Sequence, residues 1–260
     1  MMLDLILADS ELELVPPSIA GHPACVAHAR RRNRKAPDTL LDSTVHHPAL
    51  RRLPDGRRRG RPDIVHFFLL TALDSILNLE GGLRVTVHTR NNLLIRPRPD
   101  TRLPKSQSRF YSLMEQLFLE GRVPKDGEPL IVLEKGSLKK AVEDSGAERV
   151  VALSPRGRCI DSRVYFSRQR GKHLACIIGG FPDGDFLSPV SGIADDVVSI
   201  SPHVLKVWTV ASEVLVNVRE RITCPRSQRH VDKAPAPITE ARDEREGDER
   251  EEDSKAHRDD

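Results

Sequence analysis

Four short apolar runs, PLIVLE (129–134), RVVAL (149–153), HLACII (173–178) and VVSI (197–200), constrain this chain more than any other feature. Each has a strand's length and turn residues at its borders. The helix-like SLKKAVEDSG (137–146) separates the first two, and HVLKVWTVASEVLVNVRERI (203–222), a long amphipathic helix, follows the last. Strands joined by helical crossovers pair in parallel, and a mainly parallel sheet carries helices on both faces. The expected class is therefore α/β. Ligands of such sheets gather beyond the carboxyl ends of the strands. Two of those ends are distinctive: HLACII runs straight into GGFPDGDF (179–186), and VVSI runs into SPHVLKVW (201–208).

The N-terminal half continues the alternation. LDLILA (3–8) reads as a first strand, IAGHPACVAHARRRNRK as helical on either side of Pro23, and TLLDS (39–43) as a buried strand or its exit. Pro62 suits a first helical turn, Asp63 complements the positive helix end, and IVHFFLLTALDSIL supplies an apolar stripe that Gly81-Gly82 ends. LRVTVH (83–88) and RNNLLIRP suggest a hairpin. SRFYSLMEQLFLEG (108–121) reads as an amphipathic helix closing at Gly121.

Charge divides the chain unevenly. From Pro225 onward 8 Lys+Arg face 12 Asp+Glu, net −4, whereas the preceding residues carry 33 against 26, net +7. The positive charge clusters in HARRRNRK (28–35) and RRLPDGRRRGR (51–61), patterns that suit phosphate binding and equally a solvated face. After Ile238 the terminal segment, with its EARDEREGDEREE string, has almost no large apolar residue to offset chain entropy. The domain expected is thus 1–224, with a disordered charged tail over 225–260. The longest nearly apolar run, Ile64 to Leu73, falls far short of the ~20 residues that cross a bilayer, so no membrane association is expected. The acidic start MMLDLILADSELEL does not resemble a secretory signal.

Cys25, Cys159, Cys176 and Cys224 are scattered without metal-ligand spacing, so they read as reduced and structural and no metal is expected. Gly179 and Gly180 either permit close approach of a ligand or simply form a tight turn. GGFPDGDF lacks the spacing of a phosphate loop and sets two carboxylates where phosphate would be repelled, which excludes a P-loop enzyme.

The strings LILADSELELVP, LLDSTVHHPAL, RGRPDIVHFFLLTALDSILN, RVTVHTRN, TRLPKSQSRFYSLMEQL, IIGGFPDGDF and VVSISPHVLKVWTVASEVLVN occur in this order. Together they resemble the N1-specific pseudouridine methyltransferases of ribosome biogenesis in archaea and eukaryotes, over roughly Met1 to Glu220. The resemblance implies a SPOUT-type domain with a C-terminal deep trefoil knot, a rare exception to ordinary chain connectivity, and a family-specific β-hairpin extension. It implies S-adenosyl-L-methionine as cofactor, held by Ser154, by Gly179, Gly180, Phe181 and Gly184, and by Ile200, Ser201 and Leu205. Trp208 reads rather as core.

The same resemblance assigns Arg61, Arg102 and Arg109 to RNA, together with Lys105 where the family often has Arg; Lys keeps the charge but loses planar bidentate bonding. Arg61 and Asp63 flank Pro62 and suit a local ion pair, while Asp63 is also the candidate proton acceptor and equally a plain helix cap. His46 and His47 match the family and read as structural. The implied activity is methylation of pseudouridine N1 in a small-subunit rRNA hairpin loop. Alternatives are a non-catalytic, RNA-binding ribosome-assembly factor and a transfer-RNA methyltransferase. The implied partners are small-subunit rRNA, a second copy in a homodimer, and ribosomal proteins or assembly factors. The implied location is cytoplasmic, or nucleolar in a eukaryote.

Overall fold

The computed structural model describes residues 2–219. The end of the expected domain at 224, the charged tail over 225–260 and Cys224 lie outside the described residues.

In chain order the elements are β1 (Leu3–Ser10), α1 (Pro17–Ala20), α2 (Pro23–Arg31), a 3-10 turn (Ala36–Asp38), α3 (Ser43–Leu50), α4 (Pro62–Leu73), α5 (Ile76–Leu79), β2 (Leu83–Thr89), β3 (Leu93–Pro97), α6 (Gln107–Glu120) and β4 (Arg122–Val123). They continue through β5 (Ile131–Lys135), α7 (Leu138–Ser145), β6 (Arg149–Cys159), α8 (Ser162–Ser167), β7 (Leu174–Gly179), a second 3-10 turn (Val190–Gly192), β8 (Asp196–Ser199) and α9 (Val207–Val218). The strands form one sheet in the order β4-β5-β3-β2-β1-β7-β6-β8.

From β2 to β8 every pairing is parallel, and β1, buried along its whole length, lies inside that half between β2 and β7. The other half is antiparallel: β3 pairs with β2 and β5, and β4 with β5. PLIVLE is thus an antiparallel strand, not a parallel one; periodicity identifies a strand but not its neighbour.

Alternation along the central strands sorts the core. Leu3, Leu5, Leu7, Val85, Val151, Cys176 and Ile178 face α4, α6 and α9, whereas Ile6, Ala152, Ala175 and Ile177 face α7 and Val190. Helices accordingly cover both faces. A third, smaller cluster joins α1, α2 and α3 through Ile19, Cys25, Leu41 and Leu50. Cys176 is buried as well, whereas Cys159 is exposed.

Three boundaries differ from the sequence expectation. The helix from Pro62 stops at Leu73, because Ser75 Oγ donates to the Ala72 carbonyl (2.7 Å) and caps the separate α5. TLLDS forms a single antiparallel bridge, Leu14 with Leu40, and Asp42 then caps α3 by accepting from Thr44 N (2.8 Å). The last helix begins at Val207, not His203; Ser201 Oγ accepts from His203 N (3.0 Å) and holds that stretch in a turn.

Candidate functional site

Beyond the carboxyl ends of β7 and β8, and beside the irregular stretch of β6 after Leu153, three segments enclose a cavity of about 220 Å³. The first segment, within β6, supplies Leu153, Ser154 and Pro155. The second supplies Gly179, Phe181 and Gly184 with the carboxylates Asp183 and Asp185, and the third Ile200, Ser201, His203, Val204 and Leu205. Val207 and Val210 of α9 close the apolar side. Among the described residues no Lys or Arg lines it, so the site suits an apolar, neutral or cationic ligand and would repel phosphate.

Seven of the eight expected cofactor residues meet here, and the exception is informative. Gly180 does not line the cavity; it extends β7 along β1, donating to the Ala8 carbonyl (2.7 Å) and accepting from Glu11 N (3.2 Å). A Cβ at Gly180 would sit 2.4 Å from Ser10 Oγ and 2.9 Å from Ser10 Cα. Packing on the central strand therefore requires this glycine. Trp208 also stays out of the cavity and packs on Phe67 (5.1 Å between centroids).

The second loop is anchored from outside. Asp9, fully buried with φ of +52°, accepts from Leu187 N (2.7 Å), Ser188 N (3.0 Å) and Ser188 Oγ (2.7 Å). Asp9 N in turn donates to His88 Nδ1 (3.2 Å), which fixes the proton of the neutral ring on Nε2, toward Asn92 Oδ1 (3.1 Å). Nothing in the linear sequence marks Asp9 for this role, since its partners lie 178 and 179 residues away.

A second group of residues gathers at the start of α4. Arg61 donates to Asp63 through Nε (2.8 Å) and Nη2 (2.7 Å), a bidentate pair that raises the guanidinium's affinity for its proton. Both Asp63 oxygens are thereby engaged. One turn on, His66 Nε2 donates to the Pro104 carbonyl (2.8 Å), and its ring stacks on Phe110 (4.2 Å). These two contacts bring the segment bearing Arg102, Lys105 and Arg109, all exposed, alongside α4. His66 was not singled out in the sequence.

The basic runs are only partly free. Arg30, Arg31, Lys35, Arg51, Arg52 and Arg57 are exposed. Arg32 pairs with the buried Glu115, whereas Arg58 and Arg59 are themselves buried against Glu11 and Glu13. Glu11 links the two regions: its backbone N–H binds Gly180 and its carbonyl accepts from Arg61 N (3.0 Å).

Of the paired histidines, His47 is exposed and His46 fully buried. His46 Nδ1 accepts from Asp42 N (3.0 Å), so Nε2 carries the proton toward His28 Nδ1 (3.0 Å). Burial first, then His28, with a smaller contribution from His22, lower His46 to about 4 against the opposing pull of Asp42. The unfolded chain takes up this proton near the ordinary ~6.5 and the folded chain does not, so stability falls as pH drops from 7 and levels off below 4. The expected loss is about 3 kcal/mol. Urea unfolding at pH 7 and pH 4.5, in the protein and in His46→Gln, checks it; an equal acid loss in both would exclude His46 as the source.

Comparison with known proteins places these features. Residues 5–219 match the model of the EMG1/NEP1 methyltransferase family. The chain is 49% identical over 222 residues to the ribosomal RNA small subunit methyltransferase Nep1 of Methanothrix thermoacetophila, covering 85% of this chain and 97% of that protein. The Nep1 of Thermococcus kodakarensis is also 49% identical over 222 residues, covering 83% and 97%. The crystal structure of Archaeoglobus fulgidus Nep1 bound to S-adenosylhomocysteine superposes with a TM-score of 0.75 at 34% identity, over 84% of this chain and 97% of that one.

Proposed function

The chain belongs to the EMG1/NEP1 methyltransferase family, and from that premise we propose that it methylates N1 of a pseudouridine in a hairpin loop of small-subunit ribosomal RNA, with S-adenosylmethionine as donor. The cavity beside β6 and beyond the ends of β7 and β8 carries the reading. Its apolar walls suit an adenine ring, its glycines and serines expose backbone donors and acceptors, and Asp183 and Asp185 suit a ligand bearing positive charge. The related structure from Archaeoglobus fulgidus holds S-adenosylhomocysteine. Ser154, Gly179, Phe181, Gly184, Ile200, Ser201 and Leu205 would hold the donor, and Gly180 and Asp9 support the loop from behind.

Bound S-adenosylmethionine supplies a methyl carbon made electrophilic by its sulfonium. The protein's work is alignment, which accounts for much of the rate in reactions of this kind. Arg61, Arg102, Lys105 and Arg109 hold the RNA. Asp63 aims the Arg61 guanidinium, and to accept the N1 proton it would use a lone pair that the Arg61 hydrogen bonds leave open. Pseudouridine, being C-linked, leaves N1 free, whereas uridine does not; the enzyme should therefore act only after isomerisation.

Further parts of the proposal are a homodimer formed through α4 and α9, where Phe67 is half exposed beside Trp208, contacts with ribosomal proteins or assembly factors, and a knotted C-terminal region. The location proposed is the cytoplasm, or the nucleolus in a eukaryote.

The test uses S-adenosylhomocysteine for binding, S-adenosylmethionine as methyl donor, and two synthetic hairpins, one with pseudouridine and one with uridine. Calorimetry should show cofactor binding in the micromolar range, and mass spectrometry should show one added methyl on the pseudouridine hairpin alone. No binding at high micromolar cofactor would leave only the assembly role, and equal methylation of the uridine hairpin would overturn the specificity. Arg102→Ala should leave cofactor affinity within about twofold, weaken RNA binding by about 1–3 kcal/mol, and reduce the salt slope by about one if the contact is to phosphate.

A further inference from the structure

We propose that Arg58 is a positioning residue that couples the cavity to the RNA-facing arginines, so that binding at either strengthens binding at the other. The proposal rests on the assignment of the cavity to S-adenosylmethionine and of Arg61 to RNA.

Arg58 belongs to a run whose composition suits phosphate binding, yet it is only 9% exposed. Its Nε donates to Glu11 Oε1 (2.5 Å), its Nη1 donates to the Asp185 carbonyl, and its guanidinium carbon lies 3.8 Å from the Phe181 ring centroid. Phe181 and Asp185 both line the cavity, and Phe181 meets Phe186 edge-on (5.4 Å). One group thus touches two walls of the ligand site from behind.

Toward the RNA side the path is short. Arg59 is fixed to Glu13 by two hydrogen bonds of 2.7 Å. Gly60, with φ of +71°, is packed so closely on α3 that a Cβ would lie 2.9 Å from Ser43 N. Arg61 follows, its backbone held by Glu11, the same residue that binds Arg58 and Gly180. A shift of Phe181 or Asp185 therefore reaches Arg61 across two immobilised residues.

The chemistry of Arg58 points the same way. Its Nη2 is buried without a partner, an arrangement that disfavours the folded state and calls for an explanation. A lysine would keep the charge for Glu11 but could not stack on Phe181 and reach the Asp185 carbonyl at once. Only the planar, forked group makes all three contacts. Coupling of this kind is reciprocal by thermodynamic necessity.

The experiment measures S-adenosylhomocysteine affinity with and without saturating pseudouridine hairpin, and hairpin affinity with and without S-adenosylhomocysteine. In the unaltered protein each ligand should tighten the other at least about fivefold. Arg58→Lys, which keeps the Glu11 pair, should bring that ratio below twofold, and so should Phe181→Leu, which leaves Arg58 and Glu11 in place. A purely structural role would lower the melting temperature and both affinities together while preserving the ratio, and that result would overturn the proposal. So would an unaltered protein that binds both ligands without coupling. Failure of the unaltered protein to bind S-adenosylhomocysteine at all is a separate result, and it would remove the functional assignment along with the coupling.

Discussion

Gly180→Val is expected to destabilise the folded protein by about 3 kcal/mol, the upper part of the usual range for overpacking a close-packed interior. The added Cβ would lie 2.9 Å from Ser10 Cα and 3.0 Å from Leu7 Cγ, on the central strand of the sheet. Ser10 Oγ at 2.4 Å could rotate away, but the backbone of β1 cannot withdraw without breaking its pairing with β7. The effect should appear in urea unfolding, with weaker cofactor binding as its consequence. Gly179→Ala separates packing from ligand binding, because the atoms nearest its Cβ belong to the Phe181 ring, 2.6 Å away and able to swing. That substitution should spare the fold and disturb the cavity wall. Gly192→Ala, with nothing within 4 Å, is the control. Normal stability in Gly180→Val would mean that β1 and β7 are not packed as described.

The contrast between these two glycines shows how far the residues could be read in advance. A Gly-Gly pair after an apolar run signals close approach by something, and the run HLACII correctly places it at a strand's carboxyl end. It does not say that Gly179 faces the cavity and Gly180 the neighbouring strand; the orientation depends on pairing with β1, which lies some 170 residues away in the chain. The same limit hid the antiparallel pairing of β5. Local signals were sufficient for the start of α4 and for α6 and α7, where Pro62, Gly121 and Ser137 mark ends by chemistry confined to a few residues. They were insufficient for α3, whose Pro48 argues against a helix that Asp42 nevertheless caps, and for α8, six residues long and too short to show a period. The basic run 51–61 shows the limit most plainly. Six arginines in one stretch look equivalent, yet two of them are neutralised by Glu11 and Glu13 from the exit of β1. Composition registers the charge; only the fold decides which charge reaches solvent.

Glu11→Gln should be among the most damaging conservative changes in the molecule, for reasons of hydrogen-bond direction as well as charge. The carboxylate is fully buried and accepts on both oxygens, from Arg58 Nε on Oε1 (2.5 Å) and from Arg90 Nη1 on Oε2 (2.8 Å). An amide keeps one acceptor and turns two hydrogens toward the other guanidinium, so one arginine loses its partner and faces a donor instead. The two guanidiniums would then share a neutral group, with Asp55 at 3.2 Å from Arg90 and Glu13 as the anions left near Arg90. Removing one partner from a buried ion pair typically destabilises by about 3–5 kcal/mol, since the uncompensated charge stays behind. The backbone of Glu11 also carries the bonds to Gly180 and Arg61, so any local relaxation should reach both the cavity loop and the start of α4. Thermal and urea unfolding should show the loss, and cofactor affinity should fall even where the protein remains folded. Glu128→Gln, in an exposed pair with Arg98, should leave the unfolding midpoint where it is. If the two substitutions behaved alike, the Glu11 carboxylate would have to be solvated and the Arg58–Glu11–Arg90 junction open in solution.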